Sequence, residues 1–455
     1  MISLFYASLI LISLYFLVLF VITYLAGKKE TFDDFSIGSR NIGLWQTVAS
    51  LSSGFRDGAG VVVWGSFSIL FGLYTMWLFV ALAFALLLLS LTAKFIRKKS
   101  EEVGAVTLSD YLERVIGPKT SSVATVIILM TAFLYAASQL NIAGTIFSSL
   151  LNISPMTGIL ISMIVVAMYL IVGGYKTVIR TDMFQWLIIL VIIIMPFLIR
   201  KGSITELPFF GTVPLDVPTI LAVSLISFFA VYSYADVWQR IFSAKDAATA
   251  KRGLLFTIPV YFFISSGLVF LGMTIGTLVG KTNLNTPFLA LFSLQTISPI
   301  LLALLGVFIL ASMMSTFDTQ VFVFAQTVSR NLVKRTSSGK KDVWITRLIL
   351  LVTLAVLALI ASTVENIIRF LFSAVTVISV LAPVLFFHAV KLFDRDKKTD
   401  VYISIILVVS TMVYGYMFFA GLFGNFLFLI VPTVVSLLGV SAIAVIKNIH
   451  YARPE

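Results

Sequence analysis

Apolar runs of about twenty residues follow one another along the whole chain, parted by short polar stretches. At 1.5 Å of rise per residue, such a run crosses a hydrocarbon core roughly 30 Å thick. The ten-residue alternating segments of a membrane β-barrel are absent. The pattern predicts thirteen helical spans, at about 2–26, 44–71, 74–96, 122–150, 154–173, 178–199, 218–242, 250–280, 298–329, 343–362, 365–390, 400–419 and 424–446. Short helices are also expected around Thr107 to Arg114, lying at the membrane interface, and over Pro287 to Ile297. Two spans carry polar residues at their centre: the second, over Ser52 to Gly60, and the ninth, over Ser312 to Gln320.

Composition makes the class firm. Of 455 residues, 60% are hydrophobic and only 11% charged, against roughly a quarter charged in soluble chains. This is an all-α polytopic membrane protein. There are no cysteines, so neither disulfides nor thiol chemistry. The two histidines, His388 and His450, are too few and too far apart for a metal cluster. The first span has no basic leader and no small-residue cleavage site, and reads as retained.

The net charge of +12 could suggest nucleic acid as partner, but its placement points to the lipid bilayer instead. Numbering the loops alternately puts 27 of the 32 basic residues on one side, among them Arg40, Arg97, Arg114, Lys176, Arg240, Arg330 and Lys391. Arg200, Lys201, Lys281 and Arg369 fall on the other side, and Arg56 lies inside a span. Basic loops face the cytoplasm. The expected orientation has the N-terminus outside and the C-terminus cytoplasmic, in the plasma (inner) membrane.

Arg56 and Asp57 sit at bilayer depth among Gly54, Gly58 and Gly60. Glycines weaken a helix, and charges at a broken membrane helix mark a transport site. The alternative is an ion pair buried between helices. Asp182, Asp236 and Asp318 also lie in spans or at their mouths; Asp236 reads as a helix-end carboxylate beside Arg240. Ser312, Ser315, Thr316 and Thr319 share one helical face. Such a stripe either presents oxygens to a hard cation or satisfies its own helix and neighbours. Arg56, Asp57, Ser138, Gln139, Asn141, Tyr232 and Tyr234 are candidate solute contacts. Arg56 would suit a carboxylate, or be neutralised by Asp57. For Gln139 and Asn141, hydrogen bonding between helices is the competing role.

The order and spacing of several motifs resemble the sodium/solute symporter family, including its bacterial proline and pantothenate carriers. They are Asp33-Asp34-Phe35-Ser36-Ile37-Gly38-Ser39-Arg40, Thr107-Leu108-Ser109-Asp110-Tyr111, Gly173-Gly174 with Thr181-Asp182 and Gln185, Gln239-Arg240 through Asp246, Met314-Ser315-Thr316, and Ser329-Arg330-Asn331-Leu332. The resemblance implies two inverted five-helix repeats whose first helices are broken, over 44–200 and 201–393. Residues 1–43 would supply the first span and a cytoplasmic loop, and 394–455 two accessory helices and a tail. It implies one sodium on the carbonyls of Phe55, Gly58 and Ser312 and the hydroxyls of Ser315 and Thr316. A second sodium would lie among Asp182, Ser315, Asp318 and Thr319.

The expected function is secondary active transport, not enzymatic catalysis. Inward sodium flow would drive uptake of a small organic solute, an amino acid or carboxylate, by alternating access, with sodium as coupling ion and no cofactor. The alternatives are a proton-coupled carrier of the same fold and an intramembrane aspartyl protease; the Tyr-Asp and Gly-x-Gly-Asp pair of the latter does not occur. Three departures from the family pattern stand out. Tyr175 follows Gly173-Gly174; Thr219 to Phe242 has no Gly or Pro to mark a break; and Arg56 replaces a small residue of the proline carrier. The oligomeric state is left open.

Overall fold

The computed structural model describes residues 3–26, 32–199, 216–279, 287–333, 340–364, 366–393 and 395–451. Lys28, Lys29, Arg200, Lys201, Lys281, Lys334, Arg335 and Arg453, and the expected boundary between the repeats at 200/201, lie outside the described residues. Among those described, regular structure is helical, apart from one isolated bridge between Ile42 and Ala244. The first half holds α1 (Leu4–Ala26), α2 (Phe32–Ile37), α3 (Leu44–Gly54), α4 (Gly58–Phe71), α5 (Met76–Glu102), α6 (Leu108–Val115), α7 (Pro118–Leu151), α8 (Pro155–Ile189) and α9 (Met195–Ile199). The second holds α10 (Val217–Ser233), α11 (Ala235–Ser243), α12 (Ala247–Val279), α13 (Pro299–Thr327), α14 (Lys340–Ala361), α15 (Ile367–Ser379), α16 (Ala382–Ala389), α17 (Lys397–Phe419) and α18 (Val431–Tyr451).

Local chemistry sets the ends. Pro118, Pro155 and Pro299 occupy first-turn positions, where the missing N–H costs nothing. Ser154, Asp216, Asn366 and Asp396 cap the helices that follow them. Hydrogen bonds from Thr399 hold the Asp396 carboxyl below its ordinary range.

Among the described residues, ten helices are long and apolar enough to cross a membrane, or eleven with α10 and α11, which meet at 41°. Two of the ten are interrupted where the sequence parts one span from the next. One break, between α4 and α5, is at Gly72 (φ 59°). The other, inside α8, is at Gly174 (φ 51°, ψ −151°). A side chain at 174 would need a left-handed backbone and would also meet Phe35 at 2.4 Å. Divided at these two points, the spans number the thirteen expected.

Burial separates core from periphery. The most apolar stretches of α13 and of α15–α16 are 83% buried, against 28% in α1 and 33% in α14, α17 and α18. The central α13 packs on α1, α3, α4, α7, α8 and α14. The helix expected at the interface is α6, started by a capping box between Thr107 and Asp110. One face of it, with Leu108, Tyr111 and Leu112, is buried against α7 and α11, while Glu113 and Arg114 are exposed. Residues Pro287–Ser293 form a 3-10 helix that seats Phe288 against Gly65 of α4.

Candidate functional site at two helix breaks

The first break separates α3 from α4. The Phe55 and Arg56 N–H groups close α3 by donating to Leu51 and Ser53 carbonyls. Asp57 then starts α4, its carboxylate accepting from the Gly60 N–H. The same carboxylate accepts from Gln139 Nε2 at 2.9 Å and from the Tyr135 hydroxyl at 3.0 Å, both on α7. Gln139 also accepts the Ala59 N–H at 3.1 Å, so it braces the opened backbone. Gly58 lies on α13: a β-carbon there would meet the Met313 backbone at 2.9 Å. Just along α13, the Thr316 hydroxyl donates to the Gly54 carbonyl at 3.3 Å and approaches the Ser312 carbonyl at 3.5 Å. The Ser312 hydroxyl is buried without a hydrogen-bond partner. The carbonyl end of α3, which carries partial negative charge, thus meets the hydroxyl stripe of α13.

The second break falls at Tyr234, between α10 and α11, with φ −57° and ψ 120°. Asp236 opens α11 and pairs with Arg240 one turn on, at 2.9 Å. Arg240 also reaches Asp182 of α8 at 3.2 Å, Ser50 of α3 at 2.7 Å and Thr319 of α13 at 3.3 Å. Asp182 further accepts from the Ser50 hydroxyl and from Ser315 at 2.7 Å. Asp182, Ser315 and Thr319 are therefore brought together, with a guanidinium among them. Asp318 is turned aside: one oxygen accepts from the Tyr169 hydroxyl at 2.7 Å, and the other has no partner. No group of three or more carboxylate, His or Cys residues is arranged to hold a metal ion among the described residues.

A cavity of about 60 Å³ lies between the two breaks, several times the ~10–15 Å³ that one water needs. Asp57, Asp236, Thr316 and Gln320 give it polar wall; Trp64, Phe79, Tyr234 and Tyr261 give it aromatic wall. A second cavity of about 230 Å³, lined by Phe67, Tyr74, Asp216 and Phe426, adjoins it through Leu78. Phe372 and Phe426, 5.2 Å apart between ring centres, pack on Trp64 and Phe67 beside both cavities.

Of the candidate solute contacts, Asp57 and Tyr234 line the first cavity, and Arg56 lies directly behind it on Phe79 and Tyr261. The other four are placed elsewhere. Gln139 braces the break. Ser138 donates to the Tyr135 carbonyl of its own helix. Asn141 donates to the Ala361 and Val364 carbonyls at the end of α14. Tyr232 packs on Trp238 and Phe386. Sequence reasoning did not single out Tyr135, Tyr169 or the reach of Arg240. Tyr135 stands one turn before Gln139 and so shares its face. The contact of Arg240 with Asp182 spans 58 residues and leaves no local signal.

Away from the breaks, several of the sequence motifs meet at one end of the bundle. Arg40 donates to the Phe242 and Ala105 carbonyls, and burial pulls its guanidinium below the ordinary pKa. Lys176 pairs with Asp34, and Asp110 binds Arg330 and Asn331. Gln239 and Gln326 bind one another and the Ser36 carbonyl. These bonds tie the segments around α2, α6 and α11 to the Gly174 break of α8 and the end of α13.

The sequence profile of the sodium:solute symporter family matches residues 35–207. The osmoregulated proline transporter OpuE of Bacillus subtilis (strain 168) is 26% identical over 387 residues, covering 78% of this chain and 77% of that one. A sodium/proline symporter of Staphylococcus aureus (strain NCTC 8325 / PS 47) is 25% identical over 350 residues, covering 71% of this chain and 68% of that one. In fold, the chain is similar to a sodium-coupled sialic acid symporter in a substrate-bound, outward-open state. The TM-score is 0.80 at 15% identity, over 97% of each chain. It is also similar to a nucleobase-cation-symport-1 family transporter with a bound hydantoin, at a TM-score of 0.56 and 16% identity, over 91% of this chain and 94% of the other.

Proposed function

We propose that this chain, a member of the sodium:solute symporter family, takes up an amino acid or related solute through the cavity between its two helix breaks, drawn by inward sodium flow. The observation that carries the assignment to these residues is the contact of the first break with α13. Gly58 lies against the Met313 backbone, and the Thr316 hydroxyl lies on the Gly54 carbonyl. Sodium is a hard cation that takes oxygen ligands. The carbonyls of Phe55, Gly58 and Ser312 and the hydroxyl of Thr316 would supply them; Ser315, expected in the same set, donates to Asp182 and would join only by leaving it.

The solute would bind beside that ion, against Asp57 and Tyr234, where discontinuous helices place substrate sites in transporters of this build. The proline carriers among its relatives favour an amino acid. The repeats would comprise 44–200 and 201–393, with α1, α17 and α18 outside them. The N-terminus would face outward and the C-terminus the cytoplasm of a cell whose plasma (inner) membrane holds the protein. The wider cavity at Phe67 and Phe426 would then open outward, and the tie around Arg40 and Asp110 would close the cytoplasmic end.

A second cation at Asp182, Ser315, Asp318 and Thr319 is supported by the unpartnered Asp318 oxygen. Arg240 already supplies one positive charge to Asp182 there, so a proton or sodium would go to Asp318. Reconstituted vesicles separate the couplings. Of a panel of L-proline and the other amino acids, at least one should accumulate under an inward sodium gradient and not under potassium. Accumulation indifferent to sodium but abolished by a protonophore would make this a proton carrier.

A further inference from the structure

One buried charge has no role in the ion sites described above. Arg56 is 1% exposed, and none of its three side-chain nitrogens has a hydrogen-bond partner. Its sequence neighbour does not provide one. The Asp57 carboxylate is taken by Gly60, Gln139 and Tyr135. The guanidinium carbon instead lies 4.9 Å from the centre of the Phe79 ring and 4.6 Å from that of Tyr261. Both rings line the cavity, as does Asp57.

Ring faces attract a cation but do not satisfy N–H donors in the way an acceptor does. Nearby Asp57 offsets the charge through space, yet its oxygens are committed. The need left over is for a hydrogen-bond acceptor, and a negative one gives the stronger bond. An Arg placed for structure alone would be expected to find a carboxylate or backbone carbonyl, as Arg240 and Arg40 do.

We infer that Arg56 is the anion-binding residue of this cavity, and that the transported solute carries a carboxylate held by its paired N–H donors. Phe79 and Tyr261, which line the cavity, hold the guanidinium directly behind its wall, where a carboxylate passing between the rings would meet it. The inference rests on the proposed uptake function and narrows its substrate to carboxylates. A guanidinium edge matches a planar carboxylate through two parallel bonds, which a lysine cannot reproduce.

The test uses the purified full chain, melted in sodium sulfate with matched probes: L-proline and L-prolinamide, L-phenylalanine and its amide, benzoate and benzamide, acetate and acetamide. At least one carboxylate should raise the melting temperature where its amide does not. Its half-saturating concentration should rise at least tenfold in Arg56→Gln and in Arg56→Lys, with stabilisation by sodium kept in both. The lysine variant retains the charge and serves if the glutamine variant does not fold. The inference is overturned if no carboxylate stabilises, if acid and amide act alike, if both variants bind as the parent does, or if chloride alone gives the shift. A parent protein indifferent to sodium would refute the coupling proposal separately.

Discussion

Two arginines lie buried near the two helix breaks, and their surroundings differ in kind. Arg240 makes hydrogen bonds to Asp182, Asp236, Ser50 and Thr319. Arg56 makes none and rests on two aromatic rings. Its adjacent Asp57 is bound to α7 and to the start of α4, while the Asp182 that pairs with Arg240 is 58 residues away in the chain. Adjacency in sequence did not make a pair, and distance did not prevent one. The satisfied guanidinium ties α3, α8, α11 and α13 together; the unsatisfied one is available to a ligand.

The sharpest way to break that contrast is to remove each charge. Arg240→Gln strands Asp182 and Asp236 in the interior, and losing one partner of a buried pair costs about 3–5 kcal/mol. Arg56→Gln removes a cation without hydrogen-bond partners but with two desolvated ring contacts and should cost about 2 kcal/mol, less than Arg240→Gln. Denaturation in detergent compares them directly. Equal losses would mean that Arg56 is as much a structural element as Arg240.

Packing at the first break gives the next effect. Gly58→Ala forces a β-carbon against Met313, and overpacking costs about 1–3 kcal/mol. It should also push α4 from α13 and weaken the response to sodium more than Gly415→Ala, where no atom lies within 4 Å of the added carbon. An unaltered sodium response in Gly58→Ala would detach the ion site from this contact. A smaller change is expected from Tyr135→Phe, which deletes one bond to Asp57 and should cost roughly 1–2 kcal/mol. If Asp57 turned to Arg56 once freed, that variant would show no loss, and the Arg56 donors would be less isolated than they are here.

Much of this was legible in the chain. Span length and charge bias gave the helices, and Gly54, Gly58 and Gly60 around two charges marked the first break. The second break was invisible for a physical reason. Tyr234 turns the chain with φ −57° and ψ 120°, an extended conformation open to any residue, so neither Gly nor Pro is required. The stripe of Ser315, Thr316 and Thr319 was readable from helical spacing. Its division was not: Thr316 faces the break, while Ser315 and Thr319 face the Asp182–Arg240 pair. Polar residues on α7 showed the same limit. Gln139 and Asn141 are two apart, yet one braces the break and the other binds the end of α14, because residues so spaced point to different sides of a helix.

Binding of radioactive sodium to the purified protein, parent beside Thr316→Ala, tests the central claim most directly. Thr316 touches the carbonyl end of α3 and adds one oxygen to the proposed ligand set. Its loss should raise the half-saturating sodium concentration about tenfold, as expected for a charge-assisted contact worth roughly 1.5 kcal/mol. Potassium should not displace sodium from the parent. Binding of the same affinity in parent and variant, or equal displacement by potassium, would contradict a sodium site at the break.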